Sequence, residues 1–324
     1  MTDDQVRYVV AAAGAAPSIN NSQPWRICLR GAELELCAAP ERALPAAHPA
    51  ARGLYISCGA ALYNARLAIR SKALDPAVQL LPHPDYPFDV LAVLRATAGR
   101  LPRRAEREQC DCIWQRHTDR DPYSGTQIPA ATVRRLRRAA AAEGGRLRML
   151  SRAEGVAALA LTAEAGQQLA HDELHQAELR RWIATGRDEG IPAAALPHRA
   201  DRAPSPVRDT DLIAAAPGDR ERRSYEAFPQ LAVLTTAADE PADWLRAGQA
   251  LQSLLLTATC CGVSASFLYQ AIERDDMLGR DGSSWPWPEH CQMVIRLGYG
   301  TQPGRTPRRP VSDIMQPGRQ LRVG

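Results

Sequence analysis

Lysine is all but missing from this 324-residue chain: Lys72 stands alone, and 39 of the 40 basic side chains are arginine. With the abundant alanine this has the look of a coding bias and carries no functional weight. The net charge is only +4 and the arginines are spread along the whole chain. A nucleic-acid partner is therefore not expected, because such binding asks for basic residues gathered on one face. No apolar run approaches the ~20 residues that span a bilayer. The start, MTDDQVRYVVAAAG, has two acids and no basic leader, so a signal peptide is not expected and the reading is cytoplasmic. Eight cysteines occur, but none in a C-x-x-C and none at zinc spacing, which leaves reduced and mostly buried thiols. There is no G-x-G-x-x-G or Walker loop, so no dedicated dinucleotide fold is expected. No Ser-His-Asp or Cys-His arrangement points to a protein nucleophile. His171-Asp172-Glu173-Leu174-His175 puts two histidines at i and i+4 on one helix face, but the glutamate is at the wrong offset for a zincin. No metal is expected.

What is present reads as α+β. Residues 3–14 predict a helix. RICLR, a glycine turn and ELELCA predict a hairpin by their period-two alternation. Residues 53–72 predict a strong helix, VQLLP and DVLAVLRA strands, and LPRRAEREQ a charged exposed stretch. Beyond Cys112, TVRRLRRAAAAE predicts a helix ended by Gly144–Gly145, RLRMLS a strand and residues 153–185 one long helix. A Pro-rich loop runs from 189 to 209 as a candidate lid. QLAVLTT, VSASFLY and CQMVIRLGYG predict strands around the apolar helix WLRAGQALQSLLLTATCCG. GAALYNARLAIRSKAL and GQALQSLLLTATCCGV share G-x-A-L, an apolar helix and a later buried strand. This weak internal repeat points to two copies of one unit, at 1–110 and 111–324.

Three polar segments could carry chemistry. In Arg116-His117-Thr118-Asp119-Arg120, two guanidinium groups flank a hydroxyl at alternate positions, a donor set that suits a phosphate dianion. Arg308 and Arg309 in TPRRPVSD form a second basic cluster. Each cluster alone is as well explained as a solvated turn. Pro17-Ser18-Ile19-Asn20-Asn21-Ser22-Gln23-Pro24-Trp25 sets amides and hydroxyls between two prolines, offering donors and acceptors together. It also reads as a surface turn anchored by Trp25. The run Trp285-Pro286-Trp287-Pro288 reads as a packed turn that could roof a pocket.

Taken in order, these segments resemble the nitroreductase family of FMN flavoproteins. NNSQPW resembles its flavin loop, R-H-T-D-R its R-x-S-x-R element, GQALQSLLLTATCCGVSASFL the helix and strand beneath the flavin, and TPRRP the C-terminal phosphate-contacting segment. The order, together with ELRRWIATGRDEGIPAAALP, resembles the Acg-like actinobacterial subgroup. The resemblance spans roughly residues 5–315 and implies a nitroreductase-like α+β fold of mixed and antiparallel sheets flanked by helices. It implies FMN as cofactor, with Arg116 and Arg308 on the phosphate and His117 beside them. Thr118 or Ser18 would add hydroxyls. Ile19, Asn21 and Gln23 would contact ribityl or ring atoms. Arg120 would lie at the pyrimidine edge, and Leu268, Tyr269 and Gln270 beside N5.

Ordinary members of that family are homodimers. This chain has one complete set of motifs, so the resemblance implies one FMN between the halves of a fused pseudo-dimer that is a monomer. Thr306 stands where many relatives have Lys, and Tyr269 where some have Glu. The implied activity is ping-pong: NAD(P)H reduces the flavin at N5, then a small organic electron acceptor takes the electrons. The alternatives are a flavin-holding protein with little turnover, its lid at 191–206, and a natural-product tailoring enzyme on the same fold.

Overall fold

The computed structural model describes residues 1–47, 50–83, 89–183, 189–201, 221–273, 290–300 and 305–317. Helix Asp3–Gly14 (α1) opens with a capping box, in which Thr2 Oγ1 accepts from Gln5 N and the Gln5 side chain accepts from Thr2 N. The hairpin follows as Trp25–Arg30 (β1) and Glu33–Ala38 (β2), turning at Gly31 with φ +59. Arg52–Ser71 (α2) then crosses to Leu74–Leu80 (β3) and Ala92–Ala98 (β4). These four strands are antiparallel in the order β1-β2-β4-β3.

The second half repeats that plan. Arg146–Met149 (β5) and Gln230–Thr236 (β6) are followed by helix Pro241–Cys260, then by Ser264–Phe267 (β7) and His290–Gly298 (β8). Their antiparallel order is β5-β6-β8-β7, the same as in the first half, and again the long helix links the second strand to the third. The similar G-x-A-L helices thus occupy the same place in two sheets of identical connectivity.

Other stretches differ from the sequence reading. LPRRAEREQ is not merely exposed charge, because Arg104–Cys112 forms a helix (α3). Glu106 accepts from Arg103 N at 2.5 Å at its start, Arg104 pairs with Glu108 one turn on, and Cys110 and Cys112 supply its buried side. Ala130–Ala141 (α4) ends as expected, with Gly144 at φ +82. The expected long helix 153–185 is two: Arg152–His171 (α5) and Glu173–Trp182 (α6). Asp172 breaks it by leaving the helical region and accepting from His175 N at 3.1 Å as a new N-cap. His171 and His175 therefore sit on different helices, the first exposed and the second buried, and do not share a face. The chain from 190 to 200 is described, while the rest of the Pro-rich loop to 209 and Trp285–Pro288 lie outside the described residues.

The core forms where α2 meets the long helix Pro241–Cys260 (α7). The two cross at Gly59 and Gly248, backbone against backbone. A Cβ on Gly59 would strike the Leu245 carbonyl oxygen, and one on Gly248 the Ile56 carbonyl oxygen and, at 2.8 Å, the Gly59 Cα. The pattern is reciprocal, since each struck carbonyl lies one turn before the opposing glycine. The Tyr55 and Trp244 rings, 5.6 Å apart, lie at matching offsets too. Self-complementary contact of this kind is what two related units make about a twofold axis. Buried Asn64 ties three helices, donating to Ala12 O at 2.8 Å and accepting from Gln252 Nε2 at 2.7 Å.

The halves also exchange chain. Met315–Pro317 (β9) pairs parallel with β1, with Ile27 opposite Met315, so the edge of the first sheet comes from the far end of the sequence. The 110/111 division falls inside α3. Among the described residues no helix is long and apolar enough to cross a membrane.

The crossing predicts a sharp contrast between two glycines. Gly248→Ala should destabilise the chain by about 2–3 kcal/mol in urea unfolding, because the added methyl has only backbone to displace. Gly125, whose Cβ would meet nothing within 4 Å, should accept alanine with a change of less than about 0.5 kcal/mol. Equal effects at the two positions would contradict the close approach.

Candidate functional site

Four segments converge beside the helix crossing: the loop 17–25, the arm 116–120, the tail 305–309 and a strap at 189–198. The loop is bent where side chains dislike it, with φ of 51 at Asn20, 54 at Asn21 and 49 at Gln23. Asparagine tolerates the left-handed region and glutamine does so at a cost, so the surroundings have to hold it. Ser18 Oγ accepts from Gln23 N at 2.8 Å. Gln23 Oε1 accepts from Arg309 N at 3.0 Å, and Arg309 donates back to Trp25 O at 3.0 Å. Asn21 Nδ2 donates to Gly190 O at 2.8 Å and to Pro307 O at 3.0 Å, while its Oδ1 accepts from Arg308 at 2.9 Å. Asn21 and Gln23 thus spend their amides tying the loop to the tail and strap. Asn20, not singled out from the sequence, is the amide whose residue lines the neighbouring cavity. Its Oδ1 accepts from Tyr269 Oη at 3.3 Å.

The arm is fixed from both sides. Arg116 N donates to Cys112 O at 3.0 Å, and Asp119 N to Ala265 O at 3.0 Å on β7. Beyond it, Arg296 on β8 makes a buried bidentate pair with Glu226 at 2.6 and 2.8 Å and donates to Asp121 O at 2.9 Å. The arm alternates: Thr118 and Arg120 line one cavity and Arg116 and His117 another, while Asp119 is fully buried.

The second cavity, about 310 Å³, is lined by Arg116, His117, Thr306, Arg308 and Arg309 together with Trp114. Arg116 is 4% exposed. Its Nε, the Arg308 Nε and the His117 Nδ1 are buried with no hydrogen-bond partner. Among the described residues neither Arg116 nor Arg308 meets a carboxylate. Burial, then the nearby Arg308, pushes Arg116 down to about 9, and burial pushes Arg308 down to about 10. Both remain cationic at neutral pH. Two guanidinium groups lining one cavity without a counter-charge, Arg116 buried and Arg308 half-buried, are unfavourable by themselves and become favourable around a multivalent anion. His117 is driven down to about 4 by burial and then by Arg116, Arg308 and Arg305, so it is neutral there.

The first cavity is smaller, about 40 Å³, and largely apolar. Ser18, Ile19, Asn20, Thr118, Arg120 and Tyr269 line it with Ile56 and Leu251 from the two crossing helices and Phe267 and Met293 from the second sheet. Leu268 turns away into a cluster with Leu159 and Val294, its N donating to Val294 O at 2.9 Å. Gln270 is fully buried at the start of helix Gln270–Glu273 and is not part of the lining. The apolar contributors were not singled out from sequence, because an apolar side chain facing a cavity looks like core.

The strap lies over this region. Glu189 pairs with Arg42 at 2.5 Å, Ala195 O accepts from Arg120 at 3.3 Å, and His198 pairs with Asp121 at 2.5 Å. Tyr225 Oη fastens its end through His198 O at 2.9 Å.

Two expectations follow from the buried cations. In the ligand-free protein, millimolar inorganic phosphate should raise the melting temperature. Arg116→Leu should abolish that rise without itself lowering the melting temperature in phosphate-free buffer, since it removes an unneutralised buried charge. An Arg116→Leu protein that keeps the phosphate response would remove the anion site.

His117 adds a pH signature. Its folded value near 4 lies below the ordinary 6.5, so between these the unfolded chain takes up the proton more readily. The stability it contributes is intact above about 6.5 and is lost as pH falls towards 4. Asp119, pushed up from 3.8 to about 6 by burial, works in the opposite sense over its own window. His117→Gln should therefore lose less stability than the wild type between about pH 7 and about pH 4.5, read by urea unfolding.

No family model matches the sequence. Over 97% of its length the chain is similar to two Mycobacterium tuberculosis proteins. One is provisionally named NAD(P)H nitroreductase Rv3131, 29% identical over 325 residues that cover 91% of the relative. The other is provisionally named NAD(P)H nitroreductase acg, 28% identical over 326 residues that cover 96% of it. Among solved structures, an FMN complex of a nitroreductase from Desulfovibrio desulfuricans covers 65% of this chain and 97% of its own. It aligns with a TM-score of 0.39 at 15% identity. The similarity to proteins named as NAD(P)H nitroreductases, acg among them, thus extends over 97% of the chain.

Proposed function

We infer that this chain, a relative of the NAD(P)H nitroreductases over nearly its whole length, is an FMN-dependent oxidoreductase that takes electrons from NAD(P)H and passes them to a small organic acceptor. The observation that carries the reading is a pair of cations, buried Arg116 and half-buried Arg308, that line one cavity without a counter-charge. A phosphate monoester supplies the missing charge, and the resemblance names FMN as its bearer.

When bound, FMN supplies the hydride and electron chemistry at its ring. The chain's residues bind and orient it. Arg116 and Arg308 hold the phosphate, with His117 beside them as a neutral donor or acceptor. Thr118 and Ser18 would offer hydroxyls at the smaller cavity. Arg120, lining that smaller cavity, would offer a cation to the bound cofactor there. Ile19, Leu251, Phe267 and Met293 keep water out, and Tyr269, held by Asn20, sets one wall. Asn21 and Gln23 act at one remove, by keeping the loop in its left-handed bend.

We read residues 1–110 as a half that carries the flavin loop and 111–324 as a half that carries the phosphate-binding elements. The repeated sheet topology and the reciprocal glycine crossing support this fused pseudo-dimer. The same argument favours a monomer, because the family's dimer interface is already filled from within. A cytoplasmic protein without a nucleic-acid partner completes the reading.

The test is the absorbance of the purified chain before and after anaerobic NADPH. Flavin bands that bleach quickly are expected. Bands that persist would turn the reading towards a flavin-holding protein or a tailoring enzyme, with the strap at 189–198 covering the ring. Absence of flavin after reconstitution with FMN would end it. Arg116→Leu should weaken FMN binding about ten- to a hundredfold, measured by flavin fluorescence.

A further inference from the structure

Cys112 closes α3, and Cys260 closes α7. Their sulfurs are 2.7 Å apart, one buried and one half-buried, both as free thiols. A disulfide bond is about 2.05 Å long. Closing the bond therefore needs a shift of well under 1 Å.

Each cysteine stands just before a strand of the candidate site. Cys112 O accepts from Arg116 N at 3.0 Å, which starts the arm. Cys260 is followed by the turn at Gly262, φ +68, and then by β7. Arm and strand meet again one turn further on, where Thr118 bridges Ala265 in parallel and Asp119 N donates to Ala265 O. The thiol pair and this bridge thus enclose a short ring of backbone with the arm on one side and β7 on the other.

We propose that Cys112 and Cys260 are a modification site, a dithiol that peroxide converts to a disulfide stapling the Arg116–Thr118 arm to β7. The balance is closed with hydrogen peroxide as oxidant. The more accessible Cys260 thiol is oxidised to a sulfenic acid, releasing one water. The Cys112 sulfur then attacks it, the S–S bond forms and a second water leaves. Two thiols have lost two electrons and two protons to the peroxide. Burial raises both thiols, so little thiolate is present at neutral pH and the reaction is slow.

The remaining cysteines offer competing outcomes. Cys28 and Cys37 lie diagonally across the β1–β2 hairpin, opposite Glu35 and Arg26, and Cys261 adjoins Cys260 in sequence.

The test needs no cofactor. The full-length chain is treated with millimolar hydrogen peroxide, quenched and analysed by intact mass and non-reducing peptide mapping. The expected product is lighter by two hydrogens, carries a 112–260 link, reverts with dithiothreitol and melts about 5 °C higher. Cys261→Ser should give the same link. Cys260→Ser should lose the link and the higher melting temperature. A 28–37 or 260–261 link in place of 112–260 would overturn the proposal. So would products that only gain oxygen atoms at Cys112 or Cys260.

Discussion

The approach of two helix backbones at Gly59 and Gly248 governs the rest of the molecule. Helices that carry side chains at their contact stand 8–10 Å apart. Removing both side chains at one point lets α2 and α7 approach more closely. That proximity brings Ile56, Ser57 and Ala60 from one half within reach of Leu251 and Met293 from the other, around one cavity. A wider crossing would part the loop at 17–25 from the arm at 116–120. The buried Asn64–Gln252 hydrogen bond then fixes the crossing in register, since neither amide can be abandoned in an apolar core without cost.

On that frame the site is assembled from unfavourable pieces. Three non-glycine residues adopt left-handed backbone, and two guanidinium groups are withdrawn from water without counter-charge. Bonds between segments distant in sequence hold each of these in place. Asn21 reaches Pro307, Arg309 reaches Trp25, and Arg120 reaches Ala195. The result is a pre-formed cradle whose remaining cost is electrostatic, one that an anion would relieve. Preorganisation of this kind leaves little to rearrange on binding.

Much of this was legible from residue patterns. The hairpin alternates with period two, the helices at α2 and α7 carry apolar faces, and α7 is stopped by Gly262. The G-x-A-L echo marked the two glycines that meet at the crossing. Arg116, His117 and Arg308 could be placed at one site only through the family resemblance, since arginine-rich turns are commonplace in a chain with a single lysine. What escaped was local and energetic. The charge-rich stretch before Cys112 folds as α3 because Glu106 and Glu108 fall at capping and i+4 positions. The break at Asp172 was visible as an N-cap residue ahead of Glu173, had capping been weighed against the length of the helical pattern. That Asn21 and Gln23 serve the loop itself while Asn20 faces the cavity depends on φ values, which side-chain chemistry does not reveal. β9 escaped because three residues of strand have no period to read.

The return of residues 306–317 to the beginning of the chain also has a temporal consequence. A ribosome releases the loop at 17–25 and strand β1 long before Pro307, Arg308 and Met315 exist. Throughout most of synthesis the loop's left-handed bend lacks its partners in the tail and the β1 edge stays open. The cradle cannot be complete before the tail has arrived. Any nascent chain stalled before that point exposes a bare sheet edge beside an unfinished anion site, the kind of surface on which chaperones act.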